Sequence, residues 1–349
     1  MSALPSDVIV TATECIGSFA RPLLITHTKP DGDALGSLVA MRSILAAQGK
    51  RARALLFDPL PGRYGLFSRY GPLSVLGADV GESDLSEADG IIILDTCAYA
   101  QLDPIERWLR GARQKKLVVD HHATREPIAD VYVVDESAAA NCLILFEWAR
   151  QAEWQLDKHA REALFIGIAM DTGWFRHSNA DPRALSAAAE LMADGVDAHA
   201  LYQQLYQNET AGRVRLLGAA LESMELLEDG KVAIMVIPAG TFARMSAEPA
   251  DTEEIVSEPL RIGSVVMSVL LVESGDGIVR LSFRSKAPVA KGAPDVDVAA
   301  LAQSFGGGGH RRAAGARVKS TIVQVRDTVA FRAHVFLTEP GSAGSRAGS

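Results

Sequence analysis

The sequence predicts an α/β fold: an N-terminal domain built on a parallel sheet, then a smaller α+β domain. Three observations lead there. The first half alternates short apolar runs with helix-length segments. Its apolar runs, such as "GIIILDT" (90–96) and "KLVVDHH" (116–122), are continuous, as in strands covered on both faces. From about residue 229 the chain changes to longer strand-like runs with few helices between them.

In order, "PLLITH" (22–27) reads as a buried strand and "ALGSLVAMRSILAAQG" (34–49) as a helix that Gly49 is suited to cap. "RARALLF" (51–57), 90–96, 116–122 and "VYVVD" (131–135) follow as strands. Helical patterns occupy 139–152, 158–170 and 183–194. The stretch 196–228 stays helical and is expected to connect two domains, 1–195 and 229–339. In the second, "KVAIMVIP", "GSVVMSVLLVES" and "GIVRLSFRS" are strand-like, and 297–305 and 326–337 read as helices. Residues 340–349, small and polar, are expected to form a disordered tail. There is no internal repeat.

Bulk properties narrow the function. With 349 residues, 48% hydrophobic and 22% charged, the chain is globular and long enough for two domains. A net charge of −8 argues against a broad grip on long duplex nucleic acid, and leaves room for a small anionic substrate. Cys15, Cys97 and Cys142 stand far apart and form no CxxC pair, which suits a reducing compartment. No signal-like N-terminus and no apolar stretch of about 20 residues is found, so a cytoplasmic protein without a membrane partner is expected.

The stretch "THTKPDGDALGS" (26–37) crowds His27, Asp31 and Asp33 between two apolar runs. One reading is a turn, favoured by Pro30, Gly32 and the aspartates, with Asp33 capping the next helix. The other is a metal site. This stretch by itself leaves both open. Further along, Asp95 ends one strand, Asp120, His121 and His122 end another, and Asp171 ends a helical pattern. Taken singly, a strand-end aspartate is usually a loop or cap residue, a histidine pair is usually structural, and "DTG" is a common turn. Together they agree in residue type and location, because ligands of open parallel sheets collect beyond the carboxyl ends of strands. Aspartate and histidine without cysteine suit divalent ions, manganese well, with magnesium, cobalt or zinc as substitutes. Two ions about 3.5–4 Å apart would share a carboxylate and acidify a shared water.

"HTKPDGDALGS", "LDT", "VVDHHAT" and "MDTGWFRHS" resemble, in order, the four motifs of the DHH phosphoesterase family. "LSFRSK" and "FGGGGHRRAAGA" resemble its DHH-associated C-terminal domain, so the resemblance covers roughly 15–338. The two-domain layout is most similar to the bacterial oligoribonuclease and pAp phosphatase type. The resemblance implies two Mn(II) ions per chain. His27 and Asp31 would hold one, Asp33, His121 and Asp171 the other, and Asp95 would bridge them. Asp120 would orient a neighbouring histidine. His122 would lie near the scissile phosphate as charge stabiliser or proton donor. Trp174, and "SAAAN" (137–141) where a hydroxyl-rich segment is common, depart from the family pattern. Neither is expected to touch the ligands.

"GGGGHRRAAG" (306–315) reads either as a flexible connector or as backbone exposed to an anion. It is no Walker loop, since no GK[ST] follows. His310 and Arg311 favour the anion, and Arg284 offers a planar fork for phosphate with Ser282 and Ser285 beside it. By resemblance, Gly307, Gly308 and Gly309 with these side chains would grip the non-scissile nucleotide, placing the active site in a cleft between the domains. The expected function is hydrolysis of very short oligoribonucleotides to mononucleotides, with 3′-phosphatase action on pAp. Cleavage of c-di-AMP or of a linear dinucleotide (pApA, pGpG) would use the same residues and is the alternative. A nucleotide-binding sensor with an inactive site is a further reading, opposed by the intact ligand set. Similar proteins are commonly homodimers.

Overall fold

The computed structural model describes residues 4–288 and 295–338. The expected tail, 340–349, lies outside the described residues. The chain divides into two units, 1–208 and 209–349. Among the described residues, no helix is long and apolar enough to cross a membrane.

The first unit runs α1 (Ser6–Gly17), β1 (Leu23–Thr26), α2 (Gly32–Ala47), β2 (Arg53–Leu56), β3 (Ser74–Val75), β4 (Gly90–Leu94), α3 (Glu106–Gly111), β5 (Lys115–Asp120), β6 (Val131–Val134), α4 (Asn141–Gln151), α5 (Lys158–Asp171), α6 (Pro182–Ala193) and α7 (Ala198–Tyr206). Its six strands are all parallel, in the order β3-β2-β1-β4-β5-β6. The continuous apolar runs have the cause expected of them. Leu24, Ile92, Leu94, Leu117 and Val119 enter the core on one face, while Leu23, Ile25, Ile91, Ile93 and Val118 enter a second core on the other. Each such side chain contributes roughly 1.5–3 kcal/mol of burial. The strand order reverses between β1 and β4, so their carboxyl ends flank the crevice where ligands of doubly wound sheets bind.

Helices α2 and α5 cross closely behind that crevice. A Cβ on Gly36 would lie 2.5 Å from the Ala163 carbonyl oxygen, and one on Gly167 would lie 2.2 Å from Cys142 Sγ and 2.7 Å from Asp33 Oδ1. Glycine at these two positions lets the helices meet with Asp33 held between them. The cap of α2 corrects the reading from sequence. Asp31, not Asp33, is the N-cap, with its Oδ1 accepting from the Asp33 and Ala34 N–H groups at 3.0 and 3.1 Å. Both aspartates have capping chemistry, but Asp31 has the extended backbone that the cap position requires and Asp33 is already inside the helix.

The second unit runs α8 (Ala211–Glu222), β7 (Glu225–Leu227), β8 (Val232–Ile237), α9 (Thr241–Met245), β9 (Met267–Glu273), β10 (Ile278–Ser285), α10 (Val298–Gln303), β11 (Gly308–His310), β12 (Ala313–Lys319) and α11 (Ile322–Thr338). Its sheet has the order β11-β12-β10-β9-β8-β7, antiparallel except for β8 beside β9. The stretch 196–228 is divided rather than continuous. Leu201 and Leu205 of α7 enter the first unit's core, and Leu216 and Ala220 of α8 enter the second's. Thr210 starts α8 afresh by accepting the Arg213 N–H, and residues 225–227 are a strand paired with β8.

Candidate metal centre

The end of β1 delivers His27. Its Nδ1 lies 2.9 Å from the Thr28 carbonyl, and that hydrogen bond leaves Nε2 facing Asp95 Oδ2 at 3.5 Å. Asp31 follows, with one carboxylate oxygen committed to the cap of α2. Asp33 is buried at the N-terminus of α4. Its Oδ2 accepts the Asn141 N–H at 2.6 Å and its Oδ1 the Cys142 N–H at 2.9 Å. Charged bonds of this kind contribute roughly 1.5–3 kcal/mol each. The segment 137–141 therefore does touch a proposed ligand, contrary to expectation. The physical reason is tertiary: α4 ends its approach on α2, a contact between residues more than a hundred positions apart.

Asp95 caps β4 at φ 62°, a left-handed backbone that costs a non-glycine residue roughly 1–3 kcal/mol and that clusters at functional sites. Its amide donates to the Val119 carbonyl at 2.9 Å, which fixes the turn. Only 2% exposed, Asp95 points one oxygen at His27 and the other at His121 Nε2, 3.4 Å away. His121 turns Nδ1 to the Ala138 carbonyl at 3.1 Å and so presents Nε2 to Asp95, to Asp33 Oδ2 at 3.8 Å and to Asp171 Oδ2 at 3.6 Å. Asp171 arrives from the last turn of α5.

Asp120, fully buried at the end of β5, accepts from the backbone N–H groups of His121 and His122 and from His122 Nδ1 at 2.7 Å. With Nδ1 held, the half-exposed His122 ring directs Nε2 outward. The orienting role read for Asp120 thus has a geometric counterpart, and its partner is His122.

The donor atoms fall into overlapping triads: His27, Asp31 and Asp95; Asp33, His121 and Asp171; and Asp95, His121 and His122, the atoms of each triad lying within 4.8 Å of one another. The electrostatics fit divalent cations. Burial, then the charges of Asp95 and Asp171, push Asp33 well above the usual carboxylate range. Burial also lifts Asp171, to about 6, against the pull of His121. Burial opposes protonation of His27 and His121, yet their carboxylate partners, Asp95 foremost, raise them to about 9 and about 10. Asp95 itself stays low: burial works to raise it, and bonds from His121 and His27 outweigh that. Its buried Oδ1 has no polar contact tighter than the 3.4 Å approach of His121 Nε2 among the described residues. Several carboxylates facing two imidazoles, with an orphaned buried oxygen among them, form a hard, anionic donor set that a divalent cation would neutralise.

The sequence reading does not place Ser37 or Cys142 in the site, and it expects Asn141 to lie clear of the ligands. Ser37 Oγ accepts from Asn141 Nδ2 at 2.8 Å and lies 3.4 Å from Cys142 Sγ, so a small buried polar group braces Asp33. The i, i+4 spacing of Asp33 and Ser37 on α2 was the one available signal. Trp174, at φ 55°, turns away into an aromatic cluster, 5.0 Å from Tyr202 and 5.7 Å from Tyr206 between ring centres.

The second unit brings together some of its proposed substrate residues. Along β10, Arg280, Ser282 and Arg284 share one half-buried face, while Leu281, Phe283 and Ser285 point to the opposite core. Opposite them, Ser282 pairs with Gly315 and Gly315 with Gly308, and Arg284 pairs with Ala313 and Ala313 with His310. Ser282, Arg284, Gly308 and His310 thus lie on one face. Ser285 does not join them: it is buried and donates its hydroxyl to the Val296 carbonyl at 2.8 Å. Arg311 is engaged by Asp295 at 2.5 Å and Asp297 at 3.5 Å. The glycine run is a hairpin strand rather than an open loop. A Cβ on Gly307 would lie 2.1 Å from the Gly315 carbonyl oxygen, and one on Gly309, at φ 141°, would lie 2.6 Å from the Ala313 carbonyl oxygen.

Comparison with known proteins agrees with this architecture. The model for the DHH family, N-terminal domain, matches residues 22–168, and the DHHA1 domain model matches 229–331. The bifunctional oligoribonuclease and PAP phosphatase NrnA of Bacillus subtilis is 28% identical over 302 residues, 85% of this chain and 89% of that protein. The crystal structure of an exopolyphosphatase-related protein from Bacteroides fragilis superposes with a TM-score of 0.83 at 21% identity, covering 97% of this chain and 100% of that one. Exonuclease RecJ bound to manganese superposes with a TM-score of 0.52 at 14% identity, covering 97% and 96%. At these identities the two structures speak to fold.

Proposed function

We propose, from the premise that this chain belongs to the DHH family and carries a DHHA1 domain, that it is a metal-dependent phosphoesterase hydrolysing very short oligoribonucleotides to mononucleotides, with 3′-phosphatase action on pAp. The observation that carries the reading is the set of three overlapping ligand triads, two of them containing Asp95, at the sheet's switch point. The substrate class rests on the Bacillus subtilis relative, which spans most of both chains. Three buried cysteines without a disulfide suit a cytoplasmic setting.

His27, Asp31 and Asp95 would hold one divalent ion, and Asp33, His121, Asp171 and Asp95 a second, with manganese the ion proposed. Bound there, the ions supply charge neutralisation at the phosphoryl group and an acidified water. The chain's own groups do the rest. Thr28 and Ala138 hold the two imidazoles in the tautomer that presents Nε2. The N-terminus of α4 fixes Asp33. Asp120 holds His122 with Nε2 free to give a proton to the leaving oxygen. Arg284, Ser282 and His310 bind the phosphate of the non-scissile nucleotide.

Side-by-side rates on pAp, pGpG, pApA, c-di-AMP and RNAs of two to twenty nucleotides test the reading. Expected are turnover of dinucleotides and pAp, decline for RNAs longer than a few nucleotides, and loss of all activity in EDTA with recovery on manganese. Turnover of c-di-AMP alone would replace the substrate assignment, and metal-independent turnover would remove the centre.

Arg284→Ala is expected to raise KM for a dinucleotide about tenfold to a hundredfold, the scale of one charged hydrogen bond, while bound manganese stays near normal. Bis-p-nitrophenyl phosphate has no second nucleotide, so its hydrolysis should change far less. Equal losses on both would assign Arg284 to the fold instead.

A further inference from the structure

Arg280 and Arg317 stand directly opposite one another across the β10–β12 ladder. Like charges in that position destabilise a sheet. Arg280 is partly buried, donates to the Thr252 hydroxyl, and is held below the usual arginine range by burial and by Arg317. Arg317 is exposed and makes no ion pair among the described residues. The carboxylates Asp295 and Asp297 attend Arg311 and Arg312 at the opposite end of β12, and Glu254, two residues from Thr252, acts on Arg284. The pair therefore concentrates positive charge that the sheet itself leaves unneutralised.

Its placement is informative. Arg280 lies on the same face as Arg284, four residues along β10, or about 13 Å at the usual rise per residue. Between the two cationic positions runs a row of small residues, Ser282, Gly315 and Gly308. That row puts little side-chain bulk between a guanidinium on one side and a guanidinium pair on the other.

We propose that Arg280 and Arg317 form a second phosphate subsite, which takes a phosphodiester further along a single-stranded oligonucleotide whose nearer phosphate lies at Arg284. The proposal rests on the short-oligonucleotide reading above and extends it: chains of three or four nucleotides gain contacts that a dinucleotide cannot make.

The test compares Arg317→Ala, Arg317→Lys and the unaltered full chain on a dinucleotide and a tetranucleotide of the same sequence. For Arg317→Ala the ratio of kcat/KM, tetranucleotide to dinucleotide, is expected to fall about tenfold, and Arg317→Lys should restore most of it. Tetranucleotide binding without metal, followed by fluorescence anisotropy over a range of salt, should lose about 0.7 from its log–log slope in Arg317→Ala, the share of one phosphate contact on a single strand. An unchanged ratio with an unchanged slope overturns the subsite. If the unaltered protein hydrolyses neither oligonucleotide, the functional reading fails, and the binding slope still decides the subsite separately.

Discussion

Asp95→Asn is expected to lower kcat/KM on a dinucleotide by roughly 10³-fold or more, the upper range for removing one electrostatic stabiliser, and to abolish metal-induced stabilisation. Asparagine is the sharper test than alanine. It tolerates the left-handed backbone found at φ 62°, so the turn after β4 survives. What disappears is the charge shared between His27 and His121. Asp95 also belongs to two of the three triads, one with His27 and Asp31 and one with His121 and His122, so its loss weakens both. In the metal-free protein the change relieves Asp33 and Asp171 of one repelling charge, but it also removes the partner that raises His27 and His121, so some stability is lost even without metal. The expected signature is thus a lowered Tm without metal and no rise in Tm on adding manganese, where the unaltered protein gains stability in proportion to ln(1 + [metal]/Kd). Full activity with an intact metal-dependent rise would dismantle the shared-carboxylate centre.

How far this centre could be read from sequence depends on the range of the interactions. The strands were legible because β1, β4 and β5 are short continuous apolar runs, and both faces of the sheet are covered. His27, Asp95 and the Asp120-His121-His122 run were legible for a related reason: each stands at the end of such a run. The brace behind Asp33 was not, because Asn141 and Cys142 reach it from more than a hundred residues away, and through backbone N–H groups that carry no residue signature. The choice between Asp31 and Asp33 as N-cap turned on backbone conformation alone. The glycine run read as a loop because glycine has low strand propensity. Its pairing is instead set by close approach, at Gly307 against Gly315, which composition does not reveal. Ser285 followed from a one-residue alternation: beside Arg284 in sequence, it is across the sheet from it in space.

The adjacent histidines offer the second large effect, since they differ in what holds them. His121 presents Nε2 to Asp33, Asp95 and Asp171. His122 is tied through Nδ1 to the buried Asp120 and is half-exposed beyond it. His121→Ala is therefore expected to lose bound metal together with activity. His122→Ala is expected to keep most of its metal and to lose about 10²-fold or more in kcat, the scale of a missing general acid. Asp120→Asn should resemble His122→Ala in milder form: the ring keeps its place but loses the carboxylate that raises its affinity for a proton. Leaving-group chemistry separates proton donation from simple positioning. A p-nitrophenolate ester leaves without a proton, so His122→Ala should cost much less on that ester than on a ribonucleotide, whose alkoxide needs one. Metal analysis by mass spectrometry and the two rate ratios together decide the roles. Equal depletion of metal in both variants, or equal losses on both leaving groups, would return His122 to the metal-binding set.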